Sequence, residues 1–361
     1  MLNKRLILFL TMTALIFIGL IMIYSSSYIW AEYKFDNSLK YVLQQGLFVI
    51  IGFVIIAILL KLNSSFFYKN AKWFLIIAFI LLILVLIPGI GVVRNGSRSW
   101  FGIGSFGIQP SEAMKLAIII FSAKYLSDHK KIGTLKSIWP VLLIMILSFL
   151  LIMLQPDFGT GVILVMSIVL LLFVAGVKMK YFYGFGLIGV IGAIILILIA
   201  PYRLERITSF LNPWKDPLGT GFQIIQSLYA IGPGGLFGFG FLNSRQKHFY
   251  LPEPQTDFIF SIICEEFGVI GALVVIGLFA LLITMIIKLA LEEENLFKKY
   301  VIFGLGFQIV FQTILNLSVV VGLIPVTGVT LPFISYGGSS LLITMVSMGI
   351  ILNLSKKTNK F

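Results

Sequence analysis

Charge is what this sequence has least of. Only 11% of its 361 residues are Asp, Glu, Lys or Arg, where a soluble domain carries about 25%. Cysteine is nearly absent: Cys264 stands alone, so no internal disulfide can form. The two histidines, His129 and His248, fall in segments expected on opposite sides of a membrane and cannot share a metal. There is no P-loop, no dinucleotide fingerprint and no Ser-His-Asp set, and no low-complexity run, soluble domain or visible inverted repeat. These absences exclude a soluble nucleotide enzyme, a disulfide scaffold and a disordered chain. What is abundant is apolar: 59% of the residues are hydrophobic.

A helix needs about 20 apolar residues to cross the hydrocarbon core. Such runs lie near 6–24, 41–60, 73–90, 111–127, 138–154, 158–177, 181–201, 258–287, 299–321 and 336–354. The expectation is an all-α polytopic membrane protein of about ten transmembrane helices, a single domain over 1–361. The first run follows Lys4 and Arg5 like a signal peptide, but its apolar core is too long for one and no small-residue cleavage site follows. The run at 258–287 exceeds a bilayer, so that helix is expected to tilt or project. The net charge of +13 would suggest nucleic acid in a soluble protein. Here it reflects lysine and arginine in cytoplasmic loops, and no nucleic-acid partner is expected. Lys4, Arg5, Lys61, Lys69, Lys72 and Lys124, with the lysines at 130–136, 178–180, 288–299 and 356–360, fall on one side if both termini are cytoplasmic. One long extracytoplasmic loop then covers about 202–257. Within it, 224–241 is apolar but carries Pro233 and five glycines, a poor helix even in lipid, and is expected to be re-entrant or interfacial.

Ionisable groups near a bilayer are costly and usually functional. Eight acids map to the outer loops or the outer halves of helices: Glu112, Asp157, Glu205, Asp216, Glu253, Asp257, Glu265 and Glu266. Glu112 and Lys115, three apart after Pro110, share a helical face, either as a helix-stabilising ion pair or as the lining of an aqueous cavity. Asp157 sits in the tight turn Gln155-Pro156-Asp157 and suits a helix cap or the same cavity. Asp257 stands where an apolar run restarts, either as a helix cap or as a site acid close in sequence to Arg245 and Lys247. An acid beside bases suits a site that binds an anionic group and moves a proton. A lipid-linked anionic substrate fits such a site. The residues alone leave acid/base glycosyl or phosphoryl transfer and lipid translocation equally open.

Five ordered strings, QPSEAMKLA, QPDFGTG, NPWKDPLGTGFQIIQSLYAIGPGG, SRQKHFYLPEPQTDFIFSIICEEFG and GLIPVTGVTLPFISYGGSS, resemble the SEDS family. Its members shape, divide and sporulate bacterial cells. SRQKHFYLPEPQTDFIF is closer to the FtsW and SpoVE branch than to the RodA branch. The resemblance implies a glycosyltransferase of the cytoplasmic membrane that polymerises lipid II into peptidoglycan strands with inversion. It implies a catalytic role for Asp257 and a cavity lined by Glu112, Lys115 and Asp157. In that frame Arg98, Arg245 and Lys247 are expected to hold the diphosphate. It also implies a class B penicillin-binding protein as partner and allows an assisting divalent cation, for which the sequence offers no defined ligand set. The competing readings are a lipid II flippase, an elongation-type polymerase and a non-catalytic scaffold.

Overall fold

The structure is a computed structural model and describes residues 3–94, 96–103, 106–129, 134–199 and 201–356. Lys130, Lys131, Lys357 and Lys360, counted above on the cytoplasmic side, lie outside the described residues. Twelve α-helices are described: α1 (Lys4–Phe35), α2 (Lys40–Lys61), α3 (Ser65–Leu84), α4 (Pro110–Asp128), α5 (Leu135–Met153), α6 (Phe158–Val174), α7 (Met179–Ile199), α8 (Pro201–Leu211), α9 (Phe222–Ile231), α10 (Ile259–Glu292), α11 (Leu296–Val320) and α12 (Gly338–Leu354). Helices α1, α2, α3, α5, α10 and α11 are long and apolar enough to cross a membrane, and α6, α7 and α12 are shorter apolar helices. With α4, whose charges lower its hydropathy, they correspond to the ten apolar runs.

The helix ends follow local chemistry. Asn3 caps α1 through the Arg5 amide, Asp157 caps α6 through Thr160, and Asn295 caps α11 through Lys298. Pro110 opens α4 where its missing N–H costs nothing. Helices α4 and α11 form the centre. Helix α11 packs on α4, α6, α10 and α12, and α4 also meets α3, α5 and α6.

The all-α expectation needs one correction. Between α3 and α4 the chain forms an antiparallel meander, β1 (Val92–Arg94), β2 (Ser97–Ile103) and β3 (Phe106–Ile108). The third run was expected to stay apolar to residue 90, but α3 covers Ser65–Leu84. Turn-forming Pro88 and Gly89 follow its end, and the sequence after them pairs as strands.

The segment at 224–241 does not span. It is the short helix α9 followed by a Gly-rich loop that backs onto a break in α10. At the break Gly268 has φ 62° and ψ −157°, a conformation almost confined to glycine. The backbone groups freed there are taken up by the loop. Val269 N–H donates to Gly235 O (2.9 Å) and Ile270 N–H to Leu236 O (3.2 Å), while the Phe239 and Gly240 amides donate to Glu265 and Glu266 carbonyls (both 2.9 Å). Irregular backbone at membrane depth is stable only when another segment satisfies it in this way. The excess length of the 258–287 run is therefore resolved by a break.

Candidate functional site

The first wall of the site is the start of α4. Lys115 Nζ lies 2.9 Å from Glu112 Oε1, and the two side chains are only 1% and 6% exposed. The turn entering α6 stands against it. Gln109 Nε2 donates to Asp157 Oδ2 at 2.7 Å, Ser111 Oγ is 3.5 Å from the same oxygen, and Thr160 N–H caps Oδ1 at 3.2 Å. Asp157 is thus both a cap and part of the cluster. Burial raises its carboxyl above the usual range, against hydrogen bonds from Thr160, with Glu112 raising and Lys115 lowering it further.

The second wall is α11, whose contribution the acidic residues did not reveal. Lys115 Nζ donates to Gln312 Oε1 at 3.2 Å. The Gln312 amide donates to Thr330 O (3.0 Å) and lies 3.1 Å from Ser340 Oγ. One turn on, Asn316 Nδ2 donates to Asp257 O (2.7 Å) and Val329 O (2.8 Å). Residues four apart on a helix sit one above the other, with Cβ atoms about 5–6 Å apart. A polar seam therefore runs from Glu112 through Lys115, Gln312 and Asn316 to Asp257. The loop between α11 and α12 closes it: a Cβ on Gly159 would meet Val329 Cγ2 at 2.5 Å and Thr327 O at 3.0 Å, so α6 and this loop touch beside Asp157. The sequence did hold a signal for this wall. Gln308, Gln312 and Asn316 recur every fourth residue along an otherwise apolar helix, and all three are buried.

Asp257 lies just before α10 and keeps partial solvent exposure while protein surrounds it. Its Oδ1 accepts from Thr256 Oγ1 at 3.0 Å. Burial raises its carboxyl above the usual aspartate range, opposed by the Thr256 hydroxyl; Glu253 adds to the rise and Arg206 opposes it. Arg206, on α8, also donates to Val326 O at 3.1 Å. Several buried oxygens near the seam, Glu112 Oε2, Asn316 Oδ1 and Thr327 Oγ1, have no protein hydrogen-bond partner. Polar atoms in that state call for water or a ligand. Among the described residues no group of His, Cys, Asp and Glu is clustered as a metal-ligand set.

The expected cation trio does not assemble around Asp257. Lys247 is buried beside α1 and the break of α10, with Nζ 2.8 Å from Glu266 Oε1 and 3.4 Å from Ser25 Oγ. Both members of this ion pair are 0% exposed, so the Lys247 charge is already committed. Glu266 also accepts from Ser25 Oγ (2.6 Å) and Ser244 N–H (3.3 Å), and Glu265 from Ser244 Oγ (2.5 Å) and the Arg245 amide (2.8 Å). These two acids anchor the 244–247 segment, so the eight outer acids do not form a single cluster. Arg98 points Nη1 toward Leu86 O (3.5 Å), at the end of α3. The Arg245 guanidinium lies 5.0 Å over the Phe239 ring and lines a different cleft. Arg206, far from Asp257 in the linear chain, lowers its carboxyl.

The FtsW/RodA/SpoVE family model, described as a cell cycle protein, matches residues 5–360. Stage V sporulation protein E of Bacillus subtilis is 51% identical over 356 residues, covering 98% of this chain and 97% of that protein. The probable peptidoglycan glycosyltransferase FtsW of Saccharophagus degradans is 40% identical over 360 residues, covering 98% and 92%. Among solved structures, a chain from a peptidoglycan synthase complex, studied for its coordination of polymerization and crosslinking, superposes with TM-score 0.80 at 29% identity, covering 96% of both chains. The rod shape determining protein RodA of Thermus thermophilus gives 0.73 at 26%, covering 96% of this chain and 95% of that one. Motif order, helical architecture and full-length similarity agree, and the chain belongs to the FtsW/RodA/SpoVE family of integral membrane proteins.

Proposed function

We propose that this chain is a peptidoglycan glycosyltransferase that polymerises lipid II at the outer face of the cytoplasmic membrane, in division or spore-cortex synthesis. Its relatives carry that activity or the sporulation role in their names. The observation that carries the chemical reading is the seam from Glu112 to Asn316, which holds the backbone carbonyl of Asp257 and so fixes the residue that bears a half-buried carboxylate. In the reaction the acceptor hydroxyl attacks the anomeric carbon that bears the undecaprenyl diphosphate. The glycosidic bond forms as the diphosphate leaves, with inversion. Asp257 accepts the hydroxyl proton as general base, and its raised affinity for protons suits that task. Asn316 positions it by holding its backbone carbonyl. Arg206 supplies positive charge for the departing diphosphate. Lys115, bound to Glu112 and Gln312, holds the seam in place. A class B penicillin-binding protein is the partner that crosslinks the product. The whole of 1–361 acts as one membrane domain.

Purified chain, alone and with its penicillin-binding partner, is to be incubated with labelled lipid II and the strands resolved by electrophoresis. A general base typically contributes about 10²–10⁴-fold. Asp257→Asn is therefore expected to reduce polymer at least a hundredfold while the protein stays folded and inserted. Normal polymer from Asp257→Asn removes the catalytic assignment. Absence of polymer from the wild type with its partner removes the reaction itself.

A further inference from the structure

A cleft of about 540 Å³ opens on the long loop, lined by Gln226, Tyr229, Arg245, Gln246, His248 and Tyr250. None of the mechanism above uses it. One wall is α9, where Gln226 and Tyr229, three residues apart, share a helical face. The other is the 245–250 segment.

Both walls are held from behind. Tyr229 is 49% exposed, and Trp214 packs edge-on against its ring with centroids 5.8 Å apart. Arg245 lies over Phe239, and its backbone amide is fixed on Glu265. Phe249 is forced into a left-handed turn (φ 67°) and sends its ring against Trp30 and Tyr33 on α1, at 5.6 and 5.4 Å. That turn leaves its neighbours His248 and Tyr250 to line the cleft. A bulky residue is kept in such a conformation only when the surroundings impose it. The cleft is therefore built in advance of any ligand, which lowers the ordering cost of binding.

Its chemistry is specific. Two phenol rings offer flat apolar faces with polar edges, two carboxamides offer donors and acceptors, and one guanidinium offers a planar fork for a carboxylate. No acidic side chain lines it. Flat aromatic faces suit the apolar face of a pyranose, and carboxamides suit hydroxyls and acetamido groups. We infer that this cleft is a saccharide-peptide subsite: it holds the N-acetylated sugar and the carboxylate-bearing peptide of the substrate strand, with Arg245 on the carboxylate and Tyr229 and Tyr250 against the sugar. The identity of the strand rests on the glycosyltransferase reading; the ligand chemistry rests on the lining residues.

The probe is a lipid-free disaccharide-pentapeptide, titrated into the purified full-length chain in nanodiscs and followed by saturation-transfer NMR and calorimetry. Arg245→Ala is expected to weaken binding about tenfold or more and Tyr229→Ala severalfold. The Arg245 side chain makes no part of the Glu265 anchor, so truncating it leaves the segment in place. A probe with its peptide carboxylates amidated should bind the wild type as weakly as the intact probe binds Arg245→Ala. Asp257→Asn should bind the probe like the wild type, so this result stays separate from the failure or success of the polymerisation assay. Equal affinity of wild type and Arg245→Ala overturns the subsite, as does absence of binding at millimolar probe. If these substitutions leave probe affinity unchanged but release the crosslinking partner, the face is a protein interface and the proposal fails.

Discussion

Lys247→Met separates a structural lysine from a substrate-binding one. Lys247 and Glu266 are 2.8 Å apart and both 0% exposed. Removing the ammonium leaves Glu266 with Ser25 Oγ and the Ser244 amide, and leaves Glu265 beside it with its own partners. Two adjacent buried carboxylates would then face no cation. Breaking a buried pair by removing one partner costs about 3–5 kcal/mol, a large share of the 5–15 kcal/mol that typically separates folded from unfolded states. Lys247→Met should show that loss in denaturant titration of the purified protein in mixed micelles. Lys247→Met/Glu266→Gln removes both charges and keeps an acceptor for Ser25, so it should recover to within about 1–2 kcal/mol of wild type. Polymerisation by the double variant should keep the wild-type KM for lipid II. A single variant that loses less than about 1 kcal/mol, or that keeps its stability while KM rises severalfold, would refute this reasoning and return Lys247 to the substrate.

The acid limb of the polymerisation rate should sit above the usual aspartate range, because burial raises the Asp257 carboxyl and the base must be unprotonated to act. Arg206→Gln removes a charge that lowers it, so the limb should move to higher pH. Glu253→Gln removes a charge that raises it, so the limb should move to lower pH; rate profiles shifting in one common direction would contradict the assignment. Asn316→Ala strips the partner from two carbonyls, Asp257 O and Val329 O, and should cost about 1–3 kcal/mol per stranded group, with kcat falling more than KM. Gly268→Ala places a Cβ 2.5 Å from the Leu236 carbonyl carbon in a backbone conformation that L-residues avoid. It should lower the melting temperature and raise hydrogen exchange in the 232–240 loop; unchanged exchange there would mean that the loop does not depend on the break. Glu112→Gln strips the buried Lys115 of its carboxylate and should lower both polymer yield and melting temperature; wild-type turnover from the less stable protein would make the pair purely structural.

Residues alone carried the membrane class, because ten apolar runs of bilayer length and a one-sided distribution of lysine leave few other solutions. They also carried the pairing of Glu112 with Lys115 and the capping by Asp157, which depend on spacings of three residues within one element. The β-meander was not foreseen, because short strands beside a span leave a weak periodic signal. Gln312 and Asn316 were missed for a different reason: uncharged amides do not stand out by charge, although their fourfold spacing was visible.

Hydropathy, charge and short-range order are legible in the linear chain, and from them follow the membrane segments, the side expected to receive the acids and the family the motifs resemble. Which outer charges meet depends on how the helices pack. Lys247 and Arg245 lie within a dozen residues of Asp257 in the chain, yet the broken α10 draws both to Glu265 and Glu266. Arg206, some fifty residues away, lowers the Asp257 carboxyl. Charge partnership is a matter of distance in space, and that distance is set by where a loop's backbone can satisfy its hydrogen bonds, which no linear spacing encodes.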